Sequence, residues 1–190
     1  MRQKQGGCLP PYFVFKGQGM RQELLDGCSE GTGGTVSESG WSNSDIFQHY
    51  LDIHFPTYIQ KRDENQPILL LYDGHRSHLS IGLINWAKSH NIILFVLPAH
   101  TSHVLQPLDL GRFGPFQKKY NSECHKSIRQ NPSSTTYNIC SLACRSYIHA
   151  LSPANLQSSF RKSGIYPYNP SAVDEINFKP SVAFKSSCQR

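Results

Sequence analysis

Ile68-Leu69-Leu70-Leu71-Tyr72-Asp73-Gly74-His75 decides the fold, together with its echo Ile92-Ile93-Leu94-Phe95-Val96-Leu97-Pro98. Each is a short apolar run bounded by a proline, Pro67 before the first and Pro98 after the second. Between them Leu79 to His90 is amphipathic, with Leu79, Leu83, Ile84, Trp86 and Ala87 on its apolar side. Strand, helix and strand within about thirty residues form the signature of a βαβ unit. Strands apolar throughout belong to parallel sheets covered on both faces. The expected class is therefore α/β, with parallel pairing and a right-handed crossover. Both strands then end at one carboxyl edge, where open α/β sheets bind ligands.

Two aspartates leave that edge. Asp73 opens the turn Asp73-Gly74-His75, and Asp109 lies in Leu105-Gln106-Pro107-Leu108-Asp109-Leu110-Gly111, with thirty-five residues between them. Carboxylates at the ends of neighbouring parallel strands suit the holding of divalent metal ions against a phosphodiester. Each has a plainer role too: Asp73 can cap its own turn, and Asp109 can favour a helix N-terminus. The same loops carry two histidine pairs of identical spacing, His75 with His78 and His100 with His103. Four imidazoles at one edge can bind zinc, although structural zinc sites favour cysteine and neither loop has one. Otherwise these histidines orient the loops, hydrogen-bond the aspartates or meet phosphate. Ser77, Thr101, Ser102 and Gln106 offer hydroxyls and an amide to a DNA backbone, or serve ordinary turn chemistry. The chain has no P-loop, no GxGxxG and no GxSxG.

With 190 residues the chain can bury one domain's core. No window approaches 18 apolar residues, so no membrane-spanning helix is expected. Residues 1–30 lack the apolar stretch of a signal peptide. Six scattered cysteines without paired metal spacing read as reduced thiols of an intracellular protein. Cys140 and Cys144 fall on one face of an expected helix. Nineteen Lys and Arg against thirteen Asp and Glu give a net charge of +6. Arg112, Lys118, Lys119, Lys126, Arg129, Arg145, Arg161 and Lys162 concentrate that charge after Asp109. The pattern favours a polyanionic partner, and equally describes a solvated basic face.

Elsewhere, Tyr12 to Phe15 reads as a strand, and Gly31 to Gly40 as loop with at most a weak strand near Thr35–Glu38. Ser44 to about Arg62 reads as a helix capped by Ser44 and kinked or split by Pro56. Asp109 to about Arg129 and Tyr137 to Leu151 read as two further helices. Ser152-Pro153 caps a last helix that stops at Gly164.

Leu71-Tyr-Asp73-Gly-His-Arg-Ser-His78 and Leu97-Pro-Ala-His-Thr-Ser-His103-Val-Leu-Gln-Pro-Leu-Asp109-Leu-Gly-Arg-Phe113 closely resemble the pogo/Tigger branch of the DDE transposases. That branch includes centromere protein B and the jerky-like domesticated proteins. Leu9-Pro-Pro-Tyr-Phe-Val-Phe-Lys-Gly17, Gly40-Trp41 and Phe160-Arg-Lys-Ser-Gly-Ile-Tyr-Pro167 extend the resemblance over about residues 6–170. The resemblance implies an RNase H-like fold with a five-stranded mixed sheet, and DNA cutting and joining with two metal ions on three acids. It assigns Asp73 to the second acid and Asp109 to the third, with Mg²⁺ or Mn²⁺ as cofactor, DNA as partner and the nucleus as location. His75, Ser77, His78, His100, Thr101, Ser102, His103, Gln106, Lys118 and Lys119 are then the candidate nucleic-acid contacts.

The resemblance assigns no first acid. None of Glu23, Asp26, Glu30, Glu38, Asp45 or Asp52 ends an apolar strand. The expectation is a DDE nuclease domain over 1–172, truncated before its third strand, with a loosely packed tail over 173–190. Such a domain binds DNA without cutting it; an active nuclease completed by upstream sequence and a protein-interaction domain are the alternatives. The strand order of the resembled fold, 3-2-1-4-5, leaves Ile68–Tyr72 without its central neighbour. From this we expect an exposed apolar edge that promotes self-association. The segment before Gly40 is expected to be poorly anchored, or to pair with that edge.

Overall fold

The computed structural model describes residues 8–59, 66–74, 80–130 and 139–173. It is a mixed α/β structure with two separate parallel strand pairs. β1 (Tyr12–Lys16) pairs with β2 (Gly33–Ser37), and β3 (Ile68–Tyr72) pairs with β4 (Ile92–Val96). The second pair is the expected βαβ unit. Its crossover helix α3 (Ile81–Ser89) is capped by Ser80, whose hydroxyl accepts from the Leu83 amide at 3.0 Å.

α3 turns Leu83, Trp86 and Ala87 onto one face of the β3–β4 pair, where they meet Ile92, Leu51 and Phe55 in the main core. Ile84, expected on the apolar side, faces away and is half exposed. The helix carrying Leu51 and Phe55 begins as α1 (Ser44–His49) and ends as α2 (Phe55–Ile59). Its cap is Asn43, not Ser44; the Asn43 side chain accepts from the Ile46 amide at 2.9 Å. Between α1 and α2 the coil widens to a π turn over Tyr50–His54. Pro56 explains the widening, because it has no amide to close an α turn and its ring crowds the preceding carbonyls. The expected split is thus a bulge, and the helix continues past it. Residues 60–62 of that expected helix lie outside the described residues.

Two expectations are overturned. First, β3 and β4 are not covered on both faces. Leu69 and Ile93 are paired neighbours on the face away from α3, and each is more than half exposed, as is Phe95. The physical reason is that α8 (Pro153–Lys162) and α5 (Pro107–Gly111) stand off from this face. They leave an apolar cavity of about 600 Å³ between Leu69, Leu71, Leu97, Pro107, Leu156 and Phe160. Second, the segment before Gly40 is anchored, and not to β3. Besides the β1–β2 ladder, His54 Nε2 contacts the Pro10 carbonyl at 3.0 Å, and the Tyr147 and Tyr58 hydroxyls donate to the carbonyls of Leu9 and Gly31. Tyr12 packs against both His54 and Tyr50. The weak strand foreseen near Thr35 is the full partner of β1, starting two residues earlier.

The helix expected from Asp109 onward is broken at Arg112 into α5 and α6 (Phe113–Gln130). α7 (Ile139–Ala150) packs along α6 and buries Cys140, Leu142, Ala143 and Cys144. Ser152 caps α8, accepting from the Asn155 amide, and Gly164 ends it at φ +68, a left-handed turn that glycine adopts without strain. α5 and α8 touch backbone to backbone. A Cβ at Gly111 would fall on the Ser159 hydroxyl, so only glycine admits this approach.

Candidate metal and nucleic-acid site

The ends of β3 and β4 are level. The Leu97 amide donates to the Tyr72 carbonyl at 2.9 Å, one step beyond the ladder. The Asp73-Gly74 turn then folds against β4, and a Cβ on Gly74 would stand 3.3 Å from Val96 Cγ1. On the other side Pro98 stops β4, and the Thr101 hydroxyl and amide both return to the Pro98 carbonyl, at 2.7 and 3.3 Å. His100 occupies the left-handed region at φ 61, which reverses the chain into α4 (Ser102–Leu105). Gln106 is extended ahead of Pro107, as the residue before a proline is constrained to be. Pro107 starts α5 and sets Asp109 in its first turn.

This path brings Asp109 back over the end of β3. Burial raises the Asp109 carboxyl above its ordinary value, and the negative charge of Asp73 raises it further. Asp73 and Asp109 are therefore electrostatic neighbours, with Asp109 held in a short proline-initiated helix. Neighbouring hard carboxylate oxygens are a donor set that a divalent cation neutralises. Among the described residues no third His, Cys, Asp or Glu joins them in a metal-holding group.

The raised carboxyl has a consequence for stability. A proton on Asp109 is held more tightly in the folded chain than in the unfolded one. Its contribution is complete below the unfolded-state value and is lost as pH rises through the folded value. Asp109→Asn cannot ionise. Its melting temperature should gain on the parent chain as pH rises from about 3 to about 7. A gap that stays constant over that range contradicts the repulsion.

Of the other candidate contacts, Thr101, Ser102 and His103 share the α4 turn beside this edge, and His103 is exposed. Gln106 points inward; its Oε1 is buried without a hydrogen-bond partner. His75, Ser77 and His78 lie outside the described residues, so the paired-histidine pattern is only half represented. Lys118 and Lys119 lie on α6, where Glu123 pairs with Lys119 at 3.1 Å and with Lys126 at 3.4 Å. These ion pairs are at the surface and bind weakly enough to be exchanged for phosphate.

Arg112 departs from its expected place in the basic face. It is 1% exposed, donates from Nη1 to the Ala150 carbonyl at 2.6 Å, and ties the α5–α6 break to the end of α7. The sequence signal for that break was Pro115, which a helix accepts only in its first turn.

The family model described as DDE superfamily endonuclease matches residues 3–162. A protein of Cochliobolus lunatus named MFS-type transporter clz9 is 31% identical over 170 residues, which are 88% of this chain and 18% of that protein. The chain thus spans less than a fifth of that relative, whose name describes the longer protein. Among the described residues no helix is long and apolar enough to cross a membrane. No solved structure matches the chain.

Proposed function

Because the chain belongs to the DDE superfamily endonucleases, we propose that it is a transposase-derived domain of the pogo/Tigger branch with an RNase H-like ancestry, which binds DNA in the nucleus without cutting it. This reading is supported by Asp73 following β3 and Asp109 lying in α5 beyond β4, near enough for the Asp73 charge to raise the Asp109 carboxyl. On this reading Asp73 and Asp109 hold one Mg²⁺ or Mn²⁺, and the ion supplies positive charge beside a phosphodiester. The chain's own residues position the nucleic acid. Thr101, Ser102 and His103 present polar groups beside the carboxylates, with Gln106 behind them. His75, Ser77, His78 and His100 belong to the same two loops. Lys119 releases Glu123 and joins Lys118 in meeting phosphate further along α6. The domain occupies residues 1–172; of the tail expected over 173–190, all but Val173 lies outside the described residues.

Cleavage by two ions needs a ligand that bridges them. The resemblance assigns no first acid to this chain, and on that ground we read a binding domain over a working nuclease. The test is a plasmid assay with Mg²⁺ or Mn²⁺, read both for binding and for nicking. Binding should be sequence-tolerant and fall steeply as salt rises, because phosphate contacts release counterions. No nick should form. Metal-dependent nicking that disappears in Asp73→Asn establishes the active nuclease instead, completed by sequence outside these residues. Retention that salt leaves unchanged favours a protein-interaction domain.

The half-exposed Leu69, Ile93 and Phe95 also support self-association. An apolar strand face without a covering layer recruits further chains. Sedimentation velocity should show mass rising with protein concentration. A single monomer species across the range sinks this part of the proposal.

A further inference from the structure

The chain leaves α8 through a loop from Ser163 to Asn169 whose path is fixed at both ends. The Asn169 amide donates to the Gly164 carbonyl at 2.8 Å, and the Tyr166 amide to the Phe160 carbonyl at 3.3 Å. The Ser163 hydroxyl donates to the same Phe160 carbonyl at 2.9 Å. Asn169 then caps the turn Pro170–Ala172, its side chain accepting from the Ser171 amide at 3.0 Å. Pro167 and Pro170 each restrict φ to a narrow range. Ile165 is half buried and lines two apolar cavities. Tyr166 and Tyr168 remain outside, 58% and 82% exposed.

Rings this exposed add little to the core. Arg161 and Lys162, in the last turn of α8, are exposed as well. No Asp or Glu occurs between Glu123 and Asp174, so the formal charge of this whole stretch of sequence is positive.

We propose, resting on the reading that this domain binds DNA, that the loop is a stacking platform for unpaired nucleic-acid bases. Tyr168 and Tyr166 offer their rings to bases, and Arg161 and Lys162 take the adjoining phosphates. Every base has a π face, so exposed aromatic rings beside cations bind single strands with little regard to sequence. A duplex keeps those faces in its own stack, and the platform therefore selects unpaired strand. The fixed path of the loop favours this role, because rings already held in place lose less freedom on binding. Tyrosine and arginine also suit protein contacts; the absence of acidic residues from this stretch favours the polyanion.

The position of the loop supports the same conclusion. A cavity of about 620 Å³ is lined by Tyr168 and Asn169 together with Pro98 and Leu105. Pro98 and Leu105 bracket Thr101, Ser102 and His103 in sequence. The platform and the segment that carries those contacts thus border one cavity, and a single strand engaging one is led to the other.

The test is fluorescence anisotropy of the full chain with a labelled oligothymidylate of about 16 nucleotides, and with a duplex of the same length. The single strand should bind more tightly. Tyr168→Ala should weaken single-strand binding about 5- to 100-fold, the loss of one stacked base, and leave duplex binding within about twofold. Tyr168→Phe keeps the ring and should keep the affinity. Arg161→Gln should flatten the salt dependence, which Tyr168→Ala should leave unchanged. Equal affinity of the unsubstituted chain for both forms overturns the platform alone, as does a Tyr168→Ala variant that binds the single strand as the parent does. Binding of neither form overturns the DNA-binding reading along with it. A Tyr168→Ala variant altered only in its sedimentation overturns the proposal and assigns the loop to protein contact. The comparison of single strand with duplex needs no variant, so it decides the matter even where a substitution disturbs folding.

Discussion

Trp86→Ala should cost about 3–5 kcal/mol of folding stability. Trp86 is 7% exposed and sits where three elements meet. Its ring stacks on His90 with centroids 4.7 Å apart and meets Phe55 edge-on at 6.0 Å. Removing it opens a cavity in the main core, among Phe55, Leu83 and Ile92. Its carbonyl also organises the end of α3, accepting from the Ser89 hydroxyl at 2.8 Å and from the His90 amide and ring. That backbone role survives substitution, so the loss is one of packing.

The indole nitrogen tells the same story from the other side. Nε1 is buried without a hydrogen-bond partner, so Trp86→Phe removes an unsatisfied donor along with some volume. Its cost should stay below about 1.5 kcal/mol, within the range of conservative core replacements. Urea unfolding of both variants checks the pair. Equal losses for Ala and Phe would mean that the indole nitrogen, not the ring volume, matters.

The βαβ core was legible because its signals are local and redundant. Ile68–Tyr72 and Ile92–Val96 are apolar runs bounded by prolines, and the intervening helix carries its own serine cap. Their coverage was not legible. An apolar residue such as Leu69 or Phe95 states that a strand is buried somewhere, and not which other element reaches it. The β1–β2 pairing escaped for a related reason. Gly33 and Gly34 weaken any strand propensity, yet both admit close neighbours that a side chain would displace, Tyr12 and His54 at Gly33 and Phe15 at Gly34. Tertiary contact made a strand from residues that look like loop.

The site divides in the same way. Asp73 and Asp109 stand out in the sequence because each follows an apolar strand in a parallel unit. The folding-back of Pro98 to Pro107 that brings them together depends on the left-handed His100 and on Pro107 at a helix start. Proline announces itself in a sequence; a histidine at positive φ does not. Arg112 looked like part of a basic face because charge is visible in sequence and burial is not.

The central claim is that Asp73 and Asp109 share one divalent cation. A Mn²⁺ titration followed by thermal melting tests it most directly, because binding to the folded chain alone raises its stability. At metal a hundredfold above the dissociation constant, the unsubstituted chain should melt about 5–10 °C higher. Asp73→Asn and Asp109→Asn should each lose that shift while folding as well as the parent. A shift of equal size in all three proteins, or none in the unsubstituted chain, contradicts the account.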